Sequence, residues 1–170
     1  MNMLRMMKTA DYFTLANLAA GIAAVFYFLM GNVFVGSLLI LLAMVLDFLD
    51  GKIARALKQQ NAFGKELDSL ADLISFGVAP AVMMYAITMP MSSLQASKFI
   101  PLYVLFVCAG ALRLARFNVT DVKGFEGMPI TVNGVLFPLM YFVNVPPFWM
   151  LIVMGVSAVL MVSSIRFRKI

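Results

Sequence analysis

Long apolar stretches separated by short polar breaks constrain this chain more than any other feature. A membrane-spanning helix needs roughly 17–25 mostly apolar residues, and six segments approach or reach that length. We predict spans at Tyr12–Met30, Val33–Leu49, Leu70–Met89, Phe99–Leu114, Ile130–Val145 and Phe148–Ile165. The predicted fold is an all-α integral membrane protein with six transmembrane helices, in a single domain over residues 1–170.

The composition excludes several classes of protein. Hydrophobic residues make up 63% of the chain and charged residues 12%, whereas soluble domains are about half apolar and a quarter charged. A soluble enzyme, a disordered chain and a nucleic-acid-binding domain are therefore not expected, although the net charge is +5. The chain has one Cys and no His, which excludes an internal disulfide, a cysteine-based zinc site and imidazole catalysis.

The distribution of charge predicts the topology. With six spans, twelve of the 13 basic residues fall on one side of the membrane, and only Lys98 lies opposite. Basic residues collect on the cytoplasmic side, so both termini are predicted to be cytoplasmic. All eight acidic residues share that side. We therefore expect a multi-pass cell-membrane protein whose active site faces the cytoplasm.

Four carboxylates lie at the predicted cytoplasmic ends of the second and third spans. Asp47 and Asp50 are three residues apart and Asp68 and Asp72 four apart, so each pair shares a helix face. The short connection makes the two helices antiparallel neighbours, and the carboxylates can converge. Like charges repel, and with no His available an oxygen site for Mg²⁺, Mn²⁺ or Ca²⁺ is indicated. The alternative is pairing with nearby cations, namely Lys52, Arg55 and Lys65.

Small residues continue the same face of the second helix. Gly51 lies four residues after Asp47, and Ala54 four after Asp50. A ligand can approach the backbone closely there, and Arg55 is suited to bind phosphate. The spacing fits equally well with small residues that pack helix against helix.

The pattern Asp-x2-Asp-Gly-x2-Ala-Arg-x8-Gly-x3-Asp-x3-Asp resembles the signature of the CDP-alcohol phosphotransferases. The fixed positions are all matched, at Asp47, Asp50, Gly51, Ala54, Arg55, Gly64, Asp68 and Asp72. The resemblance implies that a CDP-linked lipid donates its phosphoryl-bearing group to a hydroxyl and that CMP leaves. It also implies a homodimer.

The resemblance further implies the roles of the signature residues. The four Asp residues are the metal ligands, for one or two Mg²⁺ or Mn²⁺ ions with Ca²⁺ as an alternative occupant. Asp72 is in addition the catalytic base. The donor is expected to bind along Gly51, Ala54, Arg55 and Gly64.

Other stretches resemble the membrane-embedded phosphatidylserine and archaetidylserine synthases of that family. They are Phe13–Gly21, Asp68–Ala81, Arg113–Asn118 and Phe125–Ile130. This second resemblance implies L-serine as the acceptor and CDP-diacylglycerol or CDP-archaeol as the donor.

Polar residues on two other spans are further candidates. Arg113 and Arg116 are three residues apart, with Asn118 just beyond, and guanidinium groups could bind the carboxylate of serine. The alternative is that they anchor the helix at lipid headgroups. Thr14 and Asn17 share a face of the first span and could line the nucleotide site or make interhelical hydrogen bonds.

Other functions remain as alternatives to serine transfer. Inositol phosphate or glycerol phosphate could be the acceptor in the same chemistry, although a phosphate acceptor needs more cationic groups. An ion-coupled transporter predicts internal repeats and polar residues across the membrane midplane, and the sequence has neither. The intact acidic signature argues against a non-catalytic scaffold.

Overall fold

The computed structural model describes residues 7–57, 61–89, 97–119, 125–164 and 166–167. Four helices are long and apolar enough to cross a membrane: α1 (Thr9–Leu29), α2 (Val33–Ala56), α3 (Ala62–Thr88) and α4 (Ile100–Val119). Two shorter apolar helices follow, α5 (Thr131–Phe142) and α6 (Pro147–Val162). Two-residue strands, β1 (Phe125–Glu126) and β2 (Arg166–Phe167), pair antiparallel.

The helical architecture is confirmed, and four of the described helices are long and apolar enough to cross a membrane, whereas six spans stay a prediction. The helices α5 and α6 contain 12 and 16 residues, which corresponds to about 18 and 24 Å at 1.5 Å per residue. The hydrocarbon core of a bilayer is about 30 Å thick. The helix α5 falls within its predicted span. The helix α6 begins one residue before its predicted span, at Pro147, and the end of that span, Ile165, lies outside the described residues.

The helices that carry the acidic residues are longer than the apolar stretches predicted. The second continues to Ala56 and the third begins at Ala62, because hydropathy marks only the part of a helix that lies in lipid. Asn61 starts α3 by accepting a hydrogen bond from the Gly64 backbone N–H at 2.6 Å, as helix-capping Asn residues do. All four signature carboxylates therefore lie on helices.

A tight turn makes α1 and α2 an antiparallel pair. Gly31 has φ +79°, a conformation that glycine adopts at low cost, and the Asn32 side chain caps α2 by accepting from Val35 N at 3.2 Å. The two helices pack extensively along their length. The pairing brings the first turns of α1 beside the acidic end of α2.

The third helix contains a π-helical segment, Leu73–Val78, immediately after Asp72. Such segments are frequent at functional sites. Here Ser75 lies against α1 and donates a hydrogen bond to the Asn17 carbonyl at 3.2 Å. A Cβ on Gly21 would collide with the Ser75 side chain. The absence of a side chain at Gly21 thus lets α1 and α3 approach one turn from Asp72.

Aromatic side chains fill the interior behind this contact. Phe76 is fully buried and occupies the space that a Cβ on Gly134 of α5 would take. Phe106 of α4 and Phe137 of α5 meet edge to face, with ring centroids 5.8 Å apart. These contacts hold together α4, α5 and the helix α3, which carries Asp68 and Asp72.

Candidate active site

Three carboxylates converge where α2 meets α3. One oxygen from each of Asp47, Asp50 and Asp68 lies within 4.8 Å of the others. The fourth acid, Asp72, is only 6% exposed and lies beside Asp47 and Asp68. The structure therefore brings the four predicted carboxylates to one place, because each pair occupies one face of its helix.

The cluster fits a divalent cation. Among the described residues, Asp68 Oδ1 and Asp72 Oδ1 are buried without a hydrogen-bond partner, so neighbouring cations do not neutralise these oxygens by direct contact. An unpartnered buried carboxylate is energetically costly, and hard cations such as Mg²⁺, Mn²⁺ and Ca²⁺ bind oxygen ligands. Asp47, Asp50 and Asp68 could therefore hold a metal ion.

A cleft of about 570 Å³ opens beside the cluster, with Asp50 and Asp68 in its wall. Its walls come from the first turns of α1, the end of α2, the start of α3 and Phe117 of α4. Five of the residues predicted to bind the donor line it, namely Thr14, Gly51, Ala54, Arg55 and Gly64. Thr14 Oγ1 also donates to Asp50 Oδ2 at 2.7 Å, which combines a cleft position with an interhelical hydrogen bond.

The two glycines of the signature have different structural roles. A Cβ on Gly51 would meet the Arg55 guanidinium at an ordinary 3.5 Å, so packing within the protein does not demand glycine there. A Cβ on Gly64 would lie 2.7 Å from Asp11 Oδ1, which is too close. Gly51 thus widens the cleft, whereas Gly64 allows α1 and α3 to pack together.

The sequence analysis did not place three polar residues of the cleft. Asp11, Asn61 and Lys65 all contribute to its lining. Asp11 is buried and accepts a hydrogen bond from the Lys8 backbone N–H at 2.7 Å. Its position three residues before Thr14, on the same helix face, was the signal that could have identified it.

Asn17 lies outside the lining of the cleft. Its side chain is fully buried, and neither amide atom has a hydrogen-bond partner within the described part of the chain. Buried amides of this kind are rare in folded proteins. Its predicted contact with the nucleotide stays a prediction.

Arg113 lies beside the acidic cluster. It is 7% exposed and close enough to Asp72 for electrostatic interaction. Its guanidinium carbon is 5.3 Å from the centroid of the Phe117 ring, and its Nε has no hydrogen-bond partner among the described residues. Such burial favours a role inside the protein over an anchor in the headgroups.

Arg116 points to a different partner. Its guanidinium donates to the carbonyls of Met161, Val162 and Ser163, at 3.3, 3.2 and 3.0 Å. These contacts tie α4 to the end of α6 and favour a structural role. The predicted contact of Arg116 with serine is left to mutation.

Asn118 connects α4 to the outer face of α3. Its Nδ2 donates to Ser69 Oγ at 3.0 Å and to Glu66 Oε2 at 3.2 Å. The structure thus uses this amide to hold two helices that flank the cleft, and its predicted contact with serine also stays a prediction.

The sequence comparisons agree with this geometry. The sequence model of the CDP-alcohol phosphatidyltransferases matches residues 7–167. The chain belongs to the CDP-alcohol phosphatidyltransferase family. Membership confirms the family resemblance read from the acidic signature, and the match includes all four helices that surround the cleft.

Individual members of the family are similar over most of the chain. A CDP-diacylglycerol–serine O-phosphatidyltransferase of Methanocaldococcus jannaschii is 37% identical over 132 residues, covering 78% of this chain and 59% of the relative. One from Bacillus subtilis is 35% identical, covering 91% and 86%. An archaetidylserine synthase of Methanothermobacter thermautotrophicus is 35% identical, covering 94% and 69%. The chain thus spans little more than half the length of some relatives and most of others.

Proposed function

We propose that this protein transfers the phosphatidyl or archaetidyl group of a CDP-lipid to the hydroxyl of L-serine and releases CMP. The observation that carries the proposal is the convergence of Asp47, Asp50 and Asp68 beside a cleft. The names of the similar family members, which are serine phosphatidyltransferases and an archaetidylserine synthase, support serine as the acceptor.

The acidic cluster is suited to one or two Mg²⁺ or Mn²⁺ ions, and Ca²⁺ also fits its oxygen ligands. Asp47, Asp50, Asp68 and Asp72 are the proposed ligands. A bound divalent ion would neutralise charge on the diphosphate and on the departing CMP. This chemistry suits a site in which acidic side chains and a phosphate-bearing substrate must come together.

The cleft provides the groups that the donor requires. Arg55 and Lys65 line it and are suited to bind the diphosphate, Arg55 through two parallel hydrogen bonds. Gly51 and Ala54 leave room beside the acidic cluster. We assign Thr14 and Gly64 to the wall of the donor site, and Asn17, one turn beyond Thr14 on α1, to the same nucleotide-binding region.

The acceptor is proposed to bind between Asp72 and Arg113. Asp72 takes the proton from the serine hydroxyl, whose oxygen forms the new bond to phosphorus while the bond from phosphorus to the CMP oxygen breaks. Arg113 pairs with the serine carboxylate, since an unpaired anion in a partly dry site is costly. Arg116 and Asn118 are proposed to contribute less than Arg113 to the binding of serine.

The second candidate keeps the chemistry and changes the acceptor to inositol phosphate or glycerol phosphate. A phosphate carries more negative charge than a carboxylate and needs more cationic partners. Arg113 is a buried cation near Asp72, and the guanidinium of Arg116 donates hydrogen bonds to carbonyls. This arrangement favours the carboxylate of serine.

The deciding experiment measures CMP release by the purified protein in lipid vesicles. CDP-diacylglycerol and CDP-archaeol are supplied in parallel, each with serine, glycerol phosphate or inositol phosphate. We expect release that depends on serine, and the preferred donor identifies the lipid. If CMP is released with glycerol phosphate or inositol phosphate but not with serine, that phosphate compound is the acceptor and serine is not. No release with any acceptor would overturn the proposed reaction.

We also propose that the chain spans the membrane six times, with both termini and the cleft on the cytoplasmic side. The homodimer implied by the family resemblance stays a prediction. The test uses single cysteines in a Cys108→Ser background, at Leu57→Cys beside the cleft and at Lys98→Cys before α4. A maleimide that does not cross the membrane should reach these two positions from opposite sides of the membrane. In intact cells we expect labelling at position 98 and protection at position 57. The reverse result would contradict the orientation.

A further inference from the structure

The ring of Phe117 contacts both a lysine of the donor cleft and the arginine that is proposed to bind the acceptor. Phe117 is 44% exposed, lies near the end of α4 and forms part of the cleft wall. Two cations lie against its ring. Lys65 Nζ of α3 is 5.4 Å from the ring centroid and Arg113 Cζ is 5.3 Å from it. Both distances are within the range in which a cation is attracted to an aromatic face.

The two cations serve different parts of the site. Lys65 lines the cleft, and its Nζ also donates to the Asn118 carbonyl at 3.2 Å. Arg113 is buried beside Asp72 and lies one helical turn before Phe117. Since Nε of Arg113 has no hydrogen-bond partner among the described residues, the aromatic ring is an important contact for orienting the guanidinium.

We propose that Phe117 is a positioning residue that holds Arg113 in the orientation needed to bind the carboxylate of the acceptor. The inference rests on the proposed function and extends it to a residue outside the acidic signature. Guanidinium groups stack on aromatic faces through their planar surface while their edge hydrogens stay free. The ring thus contacts the Arg113 guanidinium without using the N–H donors that a carboxylate needs.

The test compares Phe117→Leu with Phe117→Tyr. Leucine keeps an apolar side chain and removes the aromatic face, whereas tyrosine keeps the face. We expect Phe117→Leu to raise the KM for serine by roughly 3- to 30-fold. The KM for the CDP-lipid should rise less than the KM for serine, because Arg55 and the acidic cluster remain and Lys65 keeps its hydrogen bond to the Asn118 carbonyl. Phe117→Tyr should keep the wild-type KM for serine, because tyrosine retains the aromatic face.

Phe48→Leu is the matched control. Phe48 is an exposed residue of α2 whose ring carries Lys52 Nζ at 4.4 Å, but it is not part of the cleft lining. Removing this second aromatic–cation pair should leave both KM values unchanged. A general effect of losing a surface aromatic would appear in both leucine variants.

Three outcomes would overturn the inference. One is an unchanged KM for serine in Phe117→Leu. Another is equal impairment in Phe117→Tyr, and the third is an equal rise in the KM of both substrates with a lower Tm. These three outcomes test the inference once the wild-type protein has been shown to release CMP with serine. A wild-type protein without serine-dependent release would contradict the proposed function itself, and this inference with it.

Discussion

At the scale of single residues, the unpartnered oxygens of Asp68 and Asp72 are the most informative feature. Both oxygens are buried and have no hydrogen-bond partner in the part of the chain that the structure describes. Folding alone gains nothing from such groups, because burying a charge without a partner is costly. Their presence is best explained by a charged ligand that completes the site.

The two residues should differ when each is changed to asparagine. Asp68→Asn removes a proposed metal ligand and should lower kcat/KM by roughly 10²–10³-fold, as expected for loss of one partner in a buried charge pair. Asp72→Asn removes the proposed base, so kcat should fall while the KM for the CDP-lipid changes little. Steady-state titration of each substrate separates the two effects.

Glu66→Gln is the control for both variants. Glu66 is exposed on the same helix and accepts a hydrogen bond from Asn118, which glutamine can also accept. Its kinetics should match those of the wild type. A near wild-type rate in Asp72→Asn would contradict the assignment of the base.

At the scale of elements, contacts between helices decide where the functional residues can act. Arg116 lies one turn beyond Arg113 on α4, yet its guanidinium binds carbonyls at the end of α6. Carbonyls at a helix C-terminus lack intrahelical partners and attract cations. Two arginines that look equivalent in the sequence thus face different parts of the structure.

Arg116→Ala should therefore affect stability more than acceptor binding. Loss of hydrogen bonds from a charged donor costs about 1.5–3 kcal/mol, which corresponds to a fall in Tm of roughly 3–12 °C for a chain of this size. The KM for serine should stay within about 3-fold of the wild type. If instead this KM rises 10- to 150-fold at constant Tm, Arg116 binds the acceptor.

The contact of α1 with the π-helical segment of α3 gives a second prediction at this scale. Gly21→Ala places a methyl group where Ser75 lies, and overpacking of this kind costs about 1–3 kcal/mol. Gly155→Ala in α6 is the matched control, because its methyl group would lie 3.7 Å from Leu102. Alanine favours helices over glycine by up to about 1 kcal/mol.

Thermal unfolding in detergent measures both variants. We expect a lower Tm for Gly21→Ala and an equal or higher Tm for Gly155→Ala. An unchanged Tm for Gly21→Ala would mean that α1 and α3 can separate without cost, against the close packing described here.

At the scale of the whole molecule, the acidic site connects three helices. The cluster draws carboxylates from α2 and α3, and the Thr14 hydroxyl links α1 to Asp50. A cation bound there would hold three helices together, and ligands that bind only the folded state raise its stability.

Removal of divalent ions should therefore abolish turnover and lower the Tm. Chelation followed by separate addition of Mg²⁺, Mn²⁺ and Ca²⁺ identifies the ions that restore each property. A metal at 100 times its Kd stabilises the folded state by about 2.7 kcal/mol. Asp68→Asn should show a much smaller metal-dependent shift in Tm. Full turnover in the metal-free protein would contradict the metal requirement.

The sequence by itself determined the membrane class, the helical architecture and the four carboxylates. Apolar composition dictates burial in lipid, and residues spaced by three or four along a helix must share a face. Asp47, Asp50, Asp68 and Asp72 could therefore be grouped without a structure. The sequence did not give the lengths of α2 and α3, because caps such as Asn61 set helix ends independently of hydropathy.

Only the tertiary structure distinguished residues whose local patterns look alike. Arg113 and Arg116 carry the same side chain and are three residues apart on α4. Arg116 contacts the end of α6, whereas Arg113 lies beside the acidic cluster. Asp11, Lys65 and Phe117 join the cleft through packing between helices that are distant in sequence. Such contacts depend on how helices cross and rotate, which the periodicity of a single helix does not specify.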